Sequence, residues 1–125
     1  MGRAASAPFA AYDKAQGAVQ PRRQADATAF VKAARALEEA ALVAADRARW
    51  RRAVERNQLL WTAVQIEIGL PRNPLPGAIK SNLAQLAAFV DRQSALALAG
   101  SDRGLLDPLI AIDREIAAGL FGRKR

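Results

Sequence analysis

Apolar residues in this chain recur three and four positions apart, in blocks separated by proline, glycine or clustered charge. That spacing puts them on one side of an α-helix; a strand would alternate in twos. Phe9 to Gln16 reads as a short helix with Tyr12 on its apolar side, stopped by Gly17. Pro21 then breaks the chain, and Asp26 or Thr28 offers a side-chain acceptor to the free N–H groups of a second helix. The stripe of that helix is Phe30, Ala33, Ala34, Leu37, Ala41 and Leu42, with Arg35, Glu38 and Glu39 away from it. A contact face so rich in alanine implies close helix–helix approach.

A third helix is predicted from about Asp46 to Ile68, with Trp50, Val54, Trp61, Val64 and Ile68 on one face and Asn57 in line among them. A second apolar row, Leu59, Ala63, Ile66 and Leu70, runs beside it. The arc is wider than the single stripe of a surface helix, so this helix is central in a bundle or covered by a partner. Gly69 supplies a stop, and Pro71, Pro74 and Pro76 forbid resumption. The fourth helix begins around Pro76, where a missing N–H costs little. It carries Ile79, Leu83, Leu86, Ala87 and Val90 with Phe89 flanking, and ends near Gly100. The last helix starts with Asp107 as N-cap and Pro108 at its first position. Its core row is Leu109, Ile112, Ile116 and Leu120, and the basic Arg123-Lys124-Arg125 suits the negative end of its dipole. No strand-period run, internal repeat or heptad series competes. The expectation is an all-α single helical bundle of four main helices plus a short N-terminal one, over residues 9–121, with a tail at 1–8 and a basic tail at 122–125.

Length and composition agree. A chain of 125 residues fits one domain. Alanine supplies about a quarter of it, which favours helix because Ala gives up no side-chain freedom. There is no Cys and no His, so thiol nucleophiles, disulfides, imidazole bases and the usual zinc, haem and iron–sulfur ligands are excluded. No phosphate loop, paired catalytic carboxylates or nucleophile elbow is present. No enzyme, cofactor or small-molecule substrate is expected. Without a membrane-length apolar run or the apolar core of a secretory signal, the chain reads as soluble and cytoplasmic, with no membrane partner.

The net charge of +7 is carried mostly by Arg. It is compatible with a polyanionic partner and equally with arginines on solvated helix faces. Arg47, Arg49, Arg51, Arg52 and Arg56 form the largest cluster. They spread over several faces and lack the interleaved aromatics that nucleic-acid binders use, so a solvated surface is the stronger reading and RNA the alternative. Trp61, amid Leu, Val and Ile, either fills the core or anchors a partner helix. Trp50, among arginines, is expected to be half exposed. Asn57 needs a hydrogen-bond partner, from a neighbouring backbone or side chain, with the Pro71–Pro76 loop within reach. Asp113 is expected to pair with an arginine, near Arg114 or on another helix.

Four blocks then carry a resemblance: Asn57-Gln58-Leu59-Leu60-Trp61-Thr62; Pro71-Arg72-Asn73-Pro74-Leu75-Pro76-Gly77; the run from Asn82 to Asp91; and the run from Leu109 to Leu120. In this order and spacing they resemble FlaF, a family of flagellin-biosynthesis regulators in alphaproteobacterial flagellar systems. Tyr12 and Arg35-Ala36-Leu37-Glu38-Glu39-Ala40 look like the family's N-terminal half; at Asp113 the family more often shows Asn. The resemblance implies a protein that binds unassembled flagellin and promotes its production and export, with the translational repressor FlbT as a further partner. The motif residues Asn57, Trp61, Leu75, Pro76, Asn82, Leu86, Phe89, Val90, Ile112, Arg114, Gly119 and Leu120 are expected to be structural. The flagellin contact is expected at Leu59, Ala63, Ile66 and Leu70, because a second apolar row must be covered by something, with Tyr12 as a further contact. The segment around Tyr12 is the internal competitor for that place. Two alternatives stand beside this reading: direct contact with flagellin messenger RNA through the basic surface, and a structural protein whose apolar arc is closed by self-association.

Overall fold

Pro21 does not break the first long helix. In the computed structural model, which describes residues 20–120 and side-chain surroundings from 25 to 119, helix α1 spans Gln20–Leu42. Its proline falls in the first turn, where backbone N–H groups have no intrahelical acceptor and a missing one costs nothing. Asp26 and Thr28, expected as caps, therefore lie inside the helix. Helix α2 spans Arg47–Gly69, α3 Gly77–Ala99, and α4 Asp107–Leu120. The expected helix around Tyr12 and both tails lie outside the described residues. Among those described there is no strand, and the class is all-α.

The caps explain most of the boundaries. Asp46 accepts from the backbone N–H of Arg49 at 3.1 Å and starts α2. Pro76 stands just before α3 and Gly100 just after it. The start of α4 differs from expectation. Asp107 has helical dihedrals, φ −56° and ψ −46°, so it is the first residue of the helix and not its cap. A 3₁₀ turn, Arg103–Leu106, leads straight into it, and the capping acceptor is Asp102, whose Oδ1 takes the Gly104 N–H at 2.8 Å. A Cβ at Gly100 would lie 2.5 Å from Leu105 Cδ1 and 3.3 Å from the Leu96 carbonyl, so a side chain there would require the Leu105 side chain to move.

Helices α1 and α2 run antiparallel, as do α2 and α3. Arg49 near the start of α2 pairs with Glu39 near the end of α1, and Trp50 reaches Ala97 near the end of α3. The tightest pairing is α1 against α4, followed by α2 against α3. Small residues on α1 (Ala27, Ala33, Ala34 and Ala40) are fully buried and allow this approach, with Phe30 and Leu37 between them. Leu42, expected in that stripe, is exposed. Trp50, Ala53, Val54 and Trp61 fill the core from α2, and Ala87, Val90 and Ala97 from α3. The core row of α4 is Leu109, Asp113 and Ala117, with Ile112 and Ile116 only partly buried beside it. The row expected through the isoleucines is thus rotated by one position, and a carboxyl group sits in it.

Trp50 is also more buried than its arginine neighbours suggested, at 1% exposure. Its indole N–H donates to the Ala97 carbonyl at 2.8 Å. Arg47 lies over the ring, 4.5 Å from the centroid, and donates to Gly100 O at 2.6 Å and Ala44 O at 3.1 Å. The arginine closes the core over the ring, as cation–π geometry favours.

Two stability outcomes follow. Trp50→Ala should destabilise by about 3–5 kcal/mol in urea unfolding, because a buried indole and its hydrogen bond are both lost. Ser94 is fully buried and its hydroxyl has no partner among the described residues. Ser94→Ala should therefore be neutral or stabilising by up to about 1 kcal/mol in the same measurement; a clear loss would mean that the hydroxyl has a partner.

Candidate functional site

Two features of α2 bear on function: a polar contact in its buried face and a bare apolar row on the other side. The polar contact lies at Asn57 and Trp61, one turn apart and both fully buried. The Trp61 indole N–H donates to Asp113 Oδ1 on α4 at 2.9 Å. Oriented to satisfy its surroundings, the Asn57 amide nitrogen donates to Asp113 Oδ2 at 2.6 Å and Oδ1 at 3.2 Å. Phe30 of α1 meets the Trp61 ring edge-on, with centroids 5.6 Å apart and planes at 73°. Three helices converge on one indole.

Asp113 does not pair with an arginine. Arg114 points outward to Glu38 on α1, with Nη2 to Oε1 at 2.7 Å and Nε to Oε2 at 3.1 Å. Burial pushes the Asp113 carboxyl up from its ordinary value to about 7, opposed by the Trp61 hydrogen bond and by the charge of Arg114. Asn57 also finds its partner here and not in the proline-marked loop. In that loop the buried residue is Asn73, whose Oδ1 accepts from the Leu75 N–H at 3.0 Å and shapes the turn. Sequence reasoning did not single out Asn73. The burial of Asp113 did have a signal: it stands four residues after Leu109, on the same stripe.

Of the residues expected to be structural, Asn57, Trp61 and Val90 are buried, and Leu75, Leu86, Phe89, Ile112 and Gly119 partly so. Pro76 and Asn82 are exposed, the first still marking the start of α3, and the exposed Arg114 bridges to α1 through Glu38. Leu120 ends α4.

The second row stays bare. Leu59 is 72% and Ile66 62% exposed, Ala63 is exposed and Leu70 half-buried. Beyond Trp61, no residue of α2 is fully buried. Length explains this in part. Helix α4 has 14 residues against 23 in each of the others, so at about 1.5 Å per residue it cannot cover their full length. Tyr12 lies outside the described residues.

Next to Leu59 an open groove of about 540 Å³ runs between α1 and α2. Its walls include Ala36 and Glu39 from α1, and Arg52, Ala53, Arg56 and Leu59 from α2. Arg49 is held by Glu39 at 3.1 Å, and Arg51 by Glu55 at 3.6 Å. Arg52 and Arg56 have no such partner among the described residues. The arginine cluster is solvent-exposed, as expected of charged helix faces. Among the described residues, no group of three or more acidic side chains could hold a metal ion, and no helix is long and apolar enough to cross a membrane.

The raised Asp113 value fixes a direction with pH. Below the unfolded value of 3.8 the carboxyl is neutral in both states. As the pH rises from 3.8 towards about 7 the unfolded chain loses this proton while the folded chain keeps it, so stability falls. The slope is at most about 1.4 kcal/mol per pH unit. Asp113→Asn should flatten that part of the stability–pH profile, measured by urea unfolding, and be the more stable variant at pH above the folded value. The Asn57 amide would turn over to accept from the new one. An unchanged slope would show that another group titrates.

The family model for the flagellar protein FlaF matches residues 8–120, covering all four helices and both features of α2. Comparison with curated proteins and with solved structures gave no match. Nearly the whole length is matched, and the chain belongs to the flagellar protein FlaF family.

Proposed function

We propose that this protein binds unassembled flagellin in the cytoplasm and promotes its synthesis and secretion during flagellum assembly, as a chaperone-like regulator and not as an enzyme. Membership of a flagellar family supports the flagellar setting. The observation that carries the binding role is the exposed row Leu59, Ala63 and Ile66 on α2, continued by the half-buried Leu70 just after it. Large aliphatic side chains aligned along one helix face are the surface an amphipathic helix of another protein covers. Flagellin that has not yet assembled has helical terminal segments to offer; in the filament those segments are packed against one another. FlbT is the second partner in this reading.

The test uses monomeric flagellin and assembled filament side by side. The protein should bind the monomer and ignore the filament. Leu59→Ser combined with Ile66→Ser should weaken monomer binding by about tenfold or more, which is 1.4 kcal/mol or more. The same pair should change unfolding stability by less than about 1 kcal/mol, since both side chains are already in water. A large stability loss with binding intact would place the row in the core and the binding surface elsewhere. In cells, deletion of the gene should lower extracellular flagellin; normal secretion and motility would sink the proposal.

A further inference from the structure

The groove between α1 and α2 adds a chemical requirement on the partner. Its floor is small and apolar, at Ala36 and Ala53, and Leu59 of the bare row closes one end. From Arg49 to Leu59 the α2 wall covers about 15 Å, room for about three turns of helix. The charges along it are unevenly satisfied. Glu39 and Glu55 are occupied by Arg49 and Arg51, while Arg52 and Arg56, one turn apart on α2, have no ion-pair partner among the described residues. Lys32 stands one turn before Ala36 on α1, on the same side of the helix, and is exposed. The surplus in and around the groove is therefore positive and sits beside apolar surface.

We infer that this groove seats an acidic helical segment of the protein partner, whose carboxylates, one turn apart, meet Arg52 and Arg56 while a small apolar side chain rests on Ala36 and Ala53. Arg52 and Arg56 then act as specificity residues: they select which helix lies against the Leu59 row and in which register. Guanidinium groups suit this because they grip carboxylates in a planar, two-point fashion. RNA fits the same surface less well. The tryptophans are buried in the core, where no base can stack on them. The inference rests on the flagellin reading for the identity of the partner, and on the groove alone for its chemistry.

The experiment titrates the full-length protein with unassembled flagellin by fluorescence anisotropy, at low and at physiological salt, with a single-stranded oligouridylate in a parallel series. Arg52→Glu combined with Arg56→Glu should weaken flagellin binding by about tenfold or more and remove most of its salt dependence, two desolvated charge pairs being lost. Arg52→Lys with Arg56→Lys keeps the charge without the planar fork, and should keep the salt dependence while binding more weakly than the unaltered chain and more tightly than the glutamate pair. Both pairs are exposed, and their thermal unfolding should match that of the unaltered chain. If the glutamate pair binds flagellin as the unaltered chain does, the groove is not the seat, although the flagellin reading survives. If the unaltered chain binds no flagellin, the functional proposal falls and this inference falls with it. Tight oligouridylate binding that depends on Arg52 and Arg56 would overturn the inference and make the groove a nucleic-acid surface.

Discussion

A single carboxyl group decides how three of the four helices sit together. Asp113 enters the core from α4, where an isolated charge is costly, and its surroundings answer with the neutral donors of Trp61 and Asn57, both from α2. Because the two donors are one helical turn apart, they define a height along α2 as well as a direction. A slip of α4 by one turn would leave two buried donors and one buried carboxyl without partners, at about 1–3 kcal/mol for each. Apolar packing alone would tolerate such a slip far better. Phe30 brings α1 into the same arrangement through the edge of the Trp61 ring. The Arg114–Glu38 pair then fastens α4 to α1 on the surface, where it contributes little energy but agrees with the same register.

Helix α2 divides at Trp61. Before it, the buried face is continuous from Trp50 through Ala53, Val54 and Asn57. After it, the helix continues for two more turns with no fully buried residue. The groove and the bare row meet at Leu59, just short of this division. Among the described residues the core thus covers the first half of α2 and leaves the second half without a fully buried residue, and the exposed row runs from Leu59 into that second half.

The periodicity of the sequence revealed the helices, and where local chemistry sets a boundary the expectation lies close to the structure. Asp46, Pro76 and Gly100 mark α2 and α3 to within a residue or so. The misses at Trp50, Asn57 and Asp113 each involve a group on another helix. Trp50 is buried because the Ala97 carbonyl waits for its N–H and because Arg47 lies over its ring, and arginine-rich surroundings give no hint of either. Asn57 was recognised as needing a partner, but the partner is on α4. For Asp113 the expected arginine partner follows from its charge, whereas its spacing from Leu109 points to the core. The reverse case is Pro21, where a breaker of helix interiors was given too much weight at a position that proved to be a first turn. For the candidate surface, the second row on α2 was visible from spacing alone, whereas the groove beside it depends on how α1 lies and has no signature in either helix by itself.

The two tryptophans are the only ones in the chain, and each carries its indole N–H to a different neighbouring helix. Trp50 reports on the seam with α3 under a guanidinium, and Trp61 on the seam with α4 beside a titratable carboxyl. The molecule therefore contains two native optical probes on a single helix, one under a fixed positive charge and the other beside a carboxyl whose charge changes with pH. Loosening of one seam ahead of the other would register as separable changes in emission, without any label being attached.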